Sequence, residues 1–475
     1  MSGSHRELFH EHPSPAGAAS CPAHHSGGRA AADLGTRRRL LASNGLDAAG
    51  VQLLDTVLAV AVVTSLGFGA AELGLLNALG SLSFLLLAVP IGAATDAWGP
   101  ARMLVASLAM KTVLAGTMLG LYVSGVLSTA AVLVLATLLG VCTVASENAQ
   151  TAVVPQVTAR DQVSALVSRM AAADAVAGIV APGGAGLLLA LSAPEVPWGV
   201  AVGLFVLALV GVRALVRRVS SVGRQGADGG ADDVVATGAD ADVETGDGPD
   251  TDGQGLREGC TPEAPRPGLL HGFRIIAGNR LLLATTLLVT AGNIGLAVGD
   301  TVEPLLVLRH LDLGPAFFGL LGTVAAVSAL AASAVASRIT EAVAPRRLFA
   351  FGALVQAGVA TLPLAAYLRP EAGSVLMALF AALWALTLTV TNVAGAAFAA
   401  QTVPPASLGR TSAARRMVTM GCVPVAALGG GLLGELAGLA APLVLWPALA
   451  LIAAAAFFLL TRPPQRSSGT SPAEV

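Results

Sequence analysis

Asp55 stands in the middle of the apolar stretch VQLLDTVLAV, residues 51–60. An acidic side chain at a bilayer centre costs about 2.5–3.5 kcal/mol by insertion scales, so it is kept where it meets water, a partner or a transported ion. About 14 residues into its span, Asp55 is ~20 Å deep at ~1.5 Å per residue. By helical phase Asn44 falls about 20° from it and Asp47 about 80° away, which makes one face of the helix polar and the other apolar. A helix lining a wet cavity has that pattern. Asp55 is therefore the first candidate for carrying a proton or meeting a cationic substrate; the alternative is a buried Asp hydrogen-bonded to a neighbouring helix.

The same logic marks other positions. Glu147, with Asn148 and Gln150, interrupts a fourth apolar run, and Arg169 and Asp174 interrupt a fifth. Glu147 and Asp174 are cavity candidates, whereas Arg169 is expected to form a structural ion pair with Glu147 or to snorkel. Asn392 is a candidate hydrogen-bonding contact for substrate. Asp300 and Glu303, three residues apart, could form an acidic pair at an outer mouth. Lys111, the chain's only lysine, is expected to reach toward the cytoplasmic side. Of the four cysteines, Cys142 and Cys422 fall in apolar runs and Cys21 and Cys260 in polar segments, without zinc-site or disulfide-framework spacing. No metal site or cofactor is expected.

These residues need apolar helices to hold them. The chain of 475 residues is 55% hydrophobic and 12% charged, half the charge usual for a soluble domain. A helix needs about 20 apolar residues to cross a bilayer. Such runs occur at 41–66, 70–94, 102–124, 128–152, 165–190 and 196–216, then at 281–307, 315–337, 347–368, 373–399, 413–436 and 440–461. The expected organisation is a disordered tail 1–39, a six-helix bundle 40–218 and an acidic linker 219–267. An amphipathic helix with a second six-helix bundle (268–462) and a short tail 463–475 complete it. The linker holds eleven acidic side chains against Arg224, Arg257 and Arg266 and has no apolar period, so it is expected to be disordered. GLLHGFRIIAGNR (268–280) is expected to lie along the inner membrane surface.

Arginines gather on the side of the N-terminus, from Arg37–Arg39 through Arg213 and Arg347 to Arg462; only Arg309 and Arg369 fall on the other. The positive-inside rule then puts both termini and the linker in the cytoplasm, in a bacterial inner membrane. The halves also repeat. TDAWGPARML (95–104) aligns with TEAVAPRRLF (340–349) at an offset of 245, and residues 168–188 align with 415–435 at 247. Two related six-helix halves around a midplane site are a common transporter plan.

Between the second and third runs, GAATDAWGPARM (92–103) places Gly92, Asp96, Gly99 and Arg102 in a G-x-x-x-D-x-x-G-x-x-R pattern. Gly92 would allow helices to approach closely, and Asp96 at a helix end could accept backbone N–H bonds or pair with an arginine. At this place in a twelve-span chain the loop resembles the signature loop of the major facilitator superfamily. The resemblance implies an all-α membrane protein of two pseudo-repeated six-helix bundles, in which Asp96 helps hold the cytoplasmic side shut. Ala97, Pro100 and Ala101 stand where basic residues are common in that loop. Glu341, Arg346 and Arg347 form its second-half counterpart. AQTAVVPQVTARDQVSALVSRM (149–170) and AQTVPPASLGRTSAARRM (400–417) resemble the enterobactin-exporter and macrolide-efflux branch. In GIVAPGGAG (178–186), Gly178, Pro182, Gly183, Gly184 and Gly186 give a kinked, closely packed helix. The segment resembles the fifth-helix motif of proton-coupled exporters, with Ala181 replacing the glycine before the proline.

The expected function is secondary transport without ATP. No G-x-x-x-x-G-K-[ST] loop occurs, and neither H-E-x-x-H nor G-x-S-x-G suggests an enzyme. One charge moved through ~100 mV yields ~2.3 kcal/mol, enough for a roughly 50-fold gradient. The leading expectation is a monomeric, proton-coupled exporter of a small amphipathic molecule, with no nucleic-acid partner. Import or uniport of a metabolite is the alternative, and a non-transporting receptor acting through its acidic linker is the alternative of another class.

Overall fold

A computed structural model describes residues 34–158, 162–228 and 270–461. Most of the expected N-terminal tail and linker, and the C-terminal tail, lie outside these residues. Among the described residues every regular element is helical. The first half comprises α1 (Leu34–Thr64), α2 (Ala70–Trp98), α3 (Pro100–Val123), α4 (Thr129–Val157), α5 (Val163–Leu191) and α6 (Glu195–Asp228). The second begins with α7 (Leu270–Gly278) and α8 (Arg280–Asp300), followed by α9 (Glu303–Leu305) and a π turn, Leu306–His310. Then come α10 (Gly314–Ala342), α11 (Pro345–Val359), α12 (Leu362–Leu368), α13 (Gly373–Thr402), α14 (Pro405–Gly421), α15 (Val423–Ala437) and α16 (Ala440–Leu460).

Twelve segments are long and apolar enough to cross a membrane. They match the twelve expected runs, and three of them are broken internally, the seventh at Thr301–Val302 between α8 and α9. The ninth breaks between α11 and α12, and the eleventh at Cys422 between α14 and α15, just before Pro424. Two expectations at the edges change. Helix α1 already contains Arg37–Arg39, and α6 runs to Asp228, ten residues into the expected linker. Extending a formed helix adds one hydrogen bond per residue fixed, so polar residues can prolong an apolar helix past the membrane. The amphipathic segment forms α7, but protein covers its apolar face: Ile276 is buried in a cluster with Leu282, Val403 and Ala414. Asn279 then caps α8, accepting from the N–H groups of Leu281 and Leu282 at 3.1 and 3.0 Å.

The internal repeat extends into the first helix of each half. A Cβ on Gly50 of α1 would lie 2.7 Å from the Phe205 ring of α6. At the same offset of 245, a Cβ on Gly295 of α8 would lie 2.7 Å from the Trp446 ring of α16. In each half a bare glycine lets an aromatic ring settle onto the lead helix. Trp446 is further wedged against Phe380 and Trp384 of α13, with ring centroids 5.2 and 5.0 Å away.

The halves meet at the end away from the described termini, through two glycine-lined crossings. In one, α5 lies on α10: a Cβ on Gly319 would stand 2.3 Å from the Pro182 carbonyl oxygen and 2.8 Å from the Gly186 Cα. In the other, α2 lies on α15, with a Cβ on Gly74 2.7 Å from the Ala427 carbonyl oxygen and 2.8 Å from the Gly431 Cα. Lipid offers little hydrophobic drive for helix association, so close backbone approach at small residues supplies it. Arg309 adds a hydrogen bond to the Val63 carbonyl at 2.6 Å. One apolar core runs through this end from both halves, including Val57, Val63, Leu306 and Leu308.

The opposite end is open between the halves. Gly92 has no atom within 4 Å of where a Cβ would stand, so the close approach expected there does not occur. That part of α2 lies beyond its crossing with α15, where the halves have parted.

Candidate functional site

Four helices of the first half converge on a buried charge. Asp47 of α1 and Lys111 of α3 form an ion pair at 2.8 Å, the one ion pair among the described residues, with side chains 5% and 1% exposed. Lys111 also donates to the Ser146 hydroxyl of α4 at 2.8 Å. That hydroxyl lies 3.1 Å from Asp47 Oδ2, to which Gln150 Nε2 donates at the same distance. Both oxygens of Asp47 are thus satisfied, as a buried carboxylate requires. The Lys111 ammonium lies 5.8 Å from the centroid of the Phe205 ring, a cation–π contact from the aromatic side chain that seats on Gly50.

Beside this pair is a cavity of about 450 Å³. Its polar wall includes Asn44, Glu147, Gln150 and Asp174 with the Asp47–Lys111 pair, and its apolar wall includes Val51, Val154, Val167 and Met170. Asn44 donates to Asp174 Oδ1 at 2.6 Å and so ties α1 to α5. Glu147 is exposed, and its carboxylate has no hydrogen-bond or ion-pair partner among the described residues. Three of the five expected cavity residues, Asn44, Glu147 and Asp174, therefore line one cavity.

Asp55 and Asn392 are not among the lining residues. Asp55 is exposed although Leu53, Leu54, Thr56 and Val57 around it are buried. It lies two turns beyond Asp47 toward the sealed end, and Lys111 acts on it electrostatically. Asn392 is exposed on α13 in the other half. Asp300 ends α8 and Glu303 begins α9, and the two carboxyls repel. Their neighbours place them at the sealed end, where Asn77 of α2 lies 3.5 Å from the Thr301 hydroxyl and Val302 packs at Gly434 of α15.

Two expectations about cations are corrected. Lys111 does not reach for an interface; a carboxylate one helix away offers it a shorter path to a counter-charge. Arg169 is exposed and makes no ion pair among the described residues, and Glu147 is not its partner. The sequence reading missed the Asp47–Lys111 pair, and the one signal that pointed toward it was that the chain's only lysine lies mid-span in a half whose first helix carries Asp47.

The fifth-helix glycines divide. Gly183 and Gly186 sit at the α10 crossing, a Cβ on Gly183 falling against the Thr323 side chain, whereas Gly184 has open space and Gly178 only ordinary contacts. Pro182 lacks the N–H that Gly178 would accept, and the Thr323 hydroxyl donates to the next carbonyl, Ile179, at 2.7 Å. At the open end, Asp96, Glu341, Arg346 and Arg347 are exposed, and none of them bonds across the halves among the described residues. Gly99 joins α2 to α3 with φ 89°, a conformation that a side chain would strain. Arg102 is exposed too, on α3.

Residues 40–299 match the model of the Major Facilitator Superfamily, more than half the chain. The chain belongs to the major facilitator superfamily. It is a secondary transporter of that type and a multi-pass membrane protein. No curated protein matches it. Among solved structures, a point mutant of the nucleoside transporter NupG is similar at 12% identity and a TM-score of 0.66, over 90% of this chain and 100% of that one. A POT family transporter in complex with 5-aminolevulinic acid gives 10% identity and 0.63, over 90% and 96%. A bacterial homologue of the iron transporter ferroportin in an inward-facing state gives 15% and 0.59, over 90% and 99%. At these identities the likeness shows the fold that places two six-helix halves around a central cleft.

Proposed function

We propose that this transporter is a proton-coupled exporter of small amphipathic molecules, of the enterobactin-exporter and macrolide-efflux branch, in a bacterial inner membrane with both termini cytoplasmic. The observation that carries the reading is Asp55, an exposed acidic residue within the packed first helix, two turns beyond the Asp47 wall of a partly apolar cavity. With the termini inside, the sealed end faces outward and the cavity opens to the cytoplasm, where an exporter collects its cargo. Rocking of the halves about the glycine crossings would expose the cavity to the other side. In that cycle Asp55 takes a proton from outside, which favours release of the substrate, and gives it up inside. Asn44, Glu147 and Asp174 hold the substrate from the first half and Asn392 from the second. Asp300 and Glu303, with two carboxyls at the outer seal, collect the proton on the way in. Asp96 and Arg102, with Glu341, Arg346 and Arg347, act when the inner end closes.

Proteoliposomes loaded at acid pH and diluted into alkaline buffer test the reading. Wild-type protein should concentrate at least one dye from a panel of fluorescent amphipaths, above protein-free vesicles, in exchange for protons. Asp55→Asn should still equilibrate the dye but concentrate none. Concentration by the Asn variant at the wild-type rate would remove Asp55 from the coupling. Dye and protons moving in the same direction would instead favour the importer.

A further inference from the structure

The charges around the cavity point to the class of molecule it holds, an inference that rests on the transport reading above. Three carboxylates line it, Asp47, Glu147 and Asp174, against one cation, Lys111. Asp47 is fully engaged by Lys111, Gln150 and the neighbouring Ser146 hydroxyl, and Lys111 is engaged in turn by Asp47 and Ser146. The pair is therefore closed to a ligand, since a newcomer would have to leave one buried charge uncompensated. What remains open is negative. Glu147 presents a carboxylate without a partner among the described residues, and Asp174 has only Oδ1 engaged, by Asn44. The one further charge acting on Glu147 from outside the lining is Arg416, exposed on α14 of the second half. The remaining wall is largely aliphatic, with Val51, Val154, Val167 and Met170.

We infer that the cavity selects organic cations, amines or onium ions with an apolar body, held between Glu147 and Asp174 while the Asp47–Lys111 pair serves as a fixed neutral floor. A cation gains a charge-assisted contact from each open carboxylate, and its body fills the aliphatic wall. An anion of the same shape meets two like charges and no available cation in the lining.

Tetraphenylphosphonium and tetraphenylborate share a shape and carry opposite charges, so they isolate the charge preference. Equilibrium binding of each is measured to the full-length chain in lipid nanodiscs at neutral pH. The phosphonium should bind saturably and the borate at least about tenfold more weakly. Glu147→Gln and Asp174→Asn should each weaken the phosphonium about tenfold, through the loss of one nearby opposite charge apiece. Both positions are exposed, and unchanged thermal unfolding of the variants will show that the fold survives. Arg416→Gln should tighten the phosphonium slightly by removing an opposing charge. Equal or tighter borate binding, no saturable phosphonium binding, or two neutral variants that bind as well as wild type would each overturn the inference. If it fails while dyes still move against a pH gradient, the transport reading stands. If the charge preference holds and no dye moves, only the transport reading falls.

Discussion

The two halves share a backbone plan but treat charge differently. At the repeat offset of 245, Gly50 and Gly295 play the same part under an aromatic ring, and Asp55 corresponds to Asp300. The polar cluster is not repeated. The positions matching Asp47, Lys111, Ser146, Glu147 and Gln150 are Gly292, Gln356, Thr391, Asn392 and Gly395. In the second half a guanidinium, Arg415, donates to the Gly395 carbonyl where the first half has the Gln150 side chain. Duplication thus kept the residues that let helices pack and set the interface between the halves. Among the described residues the first half alone carries a buried ion pair and the charged cavity beside it. Packing positions must match in both halves for the pseudo-symmetric crossings to close, whereas a binding site is needed only once.

The largest effect that would sharpen this contrast comes from Lys111→Met. It strands Asp47 as an unpaired buried carboxylate, and the expected loss of stability is about 3–5 kcal/mol. Adding Asp47→Leu should recover most of it, because two apolar residues leave no orphaned charge. The matching change in the second half, Gln356→Met, should cost less than about 1 kcal/mol. Thermal or denaturant unfolding in detergent reads all of these. Equal losses from Lys111→Met and Gln356→Met would erase the asymmetry.

A middle-sized effect concerns the shared feature. Gly319→Val places a branched side chain against the Pro182 carbonyl and Gly186, an overpacking of about 1–3 kcal/mol. Its cost falls on the sealed arrangement, so the population should shift toward separation at that end, read as faster labelling of a cysteine introduced there. The smallest effect is at Gly92, where a Cβ meets nothing in the present state. Gly92→Ala should therefore leave the stability of this state within about 0.5 kcal/mol.

Much of this was legible from sequence for a physical reason. A bilayer demands about 20 apolar residues per crossing, which made the twelve spans plain, and the repeat tied the halves together. The lateral order of the helices was not legible, because it depends on which small residues meet across an interface. Hence GIVAPGGAG announced close packing without saying that Gly183 and Gly186 press tightly on α10, while Gly178 makes only ordinary contact with it and Gly184 meets open space. Charge pairing failed similarly: Lys111 and Asp47 lie 64 residues apart, and only the packing of α1 against its neighbours brings them together. Helical phase did put Asn44 and Asp47 on the cavity face, while Asp55 continues along α1 beyond the lining.

The central claim is that the halves rock between two states around this asymmetric cavity, and two distances test it directly. In a variant whose native cysteines are replaced, spin labels at Trp98 and Ser412, both exposed at the open end, report one gap. Labels at Leu75 and Leu432, exposed beside the α2–α15 crossing, report the other. When bound tetraphenylphosphonium or acid pH changes the state, the account predicts that the first distance shortens while the second lengthens. Two distances that move together, or that never move, would contradict it.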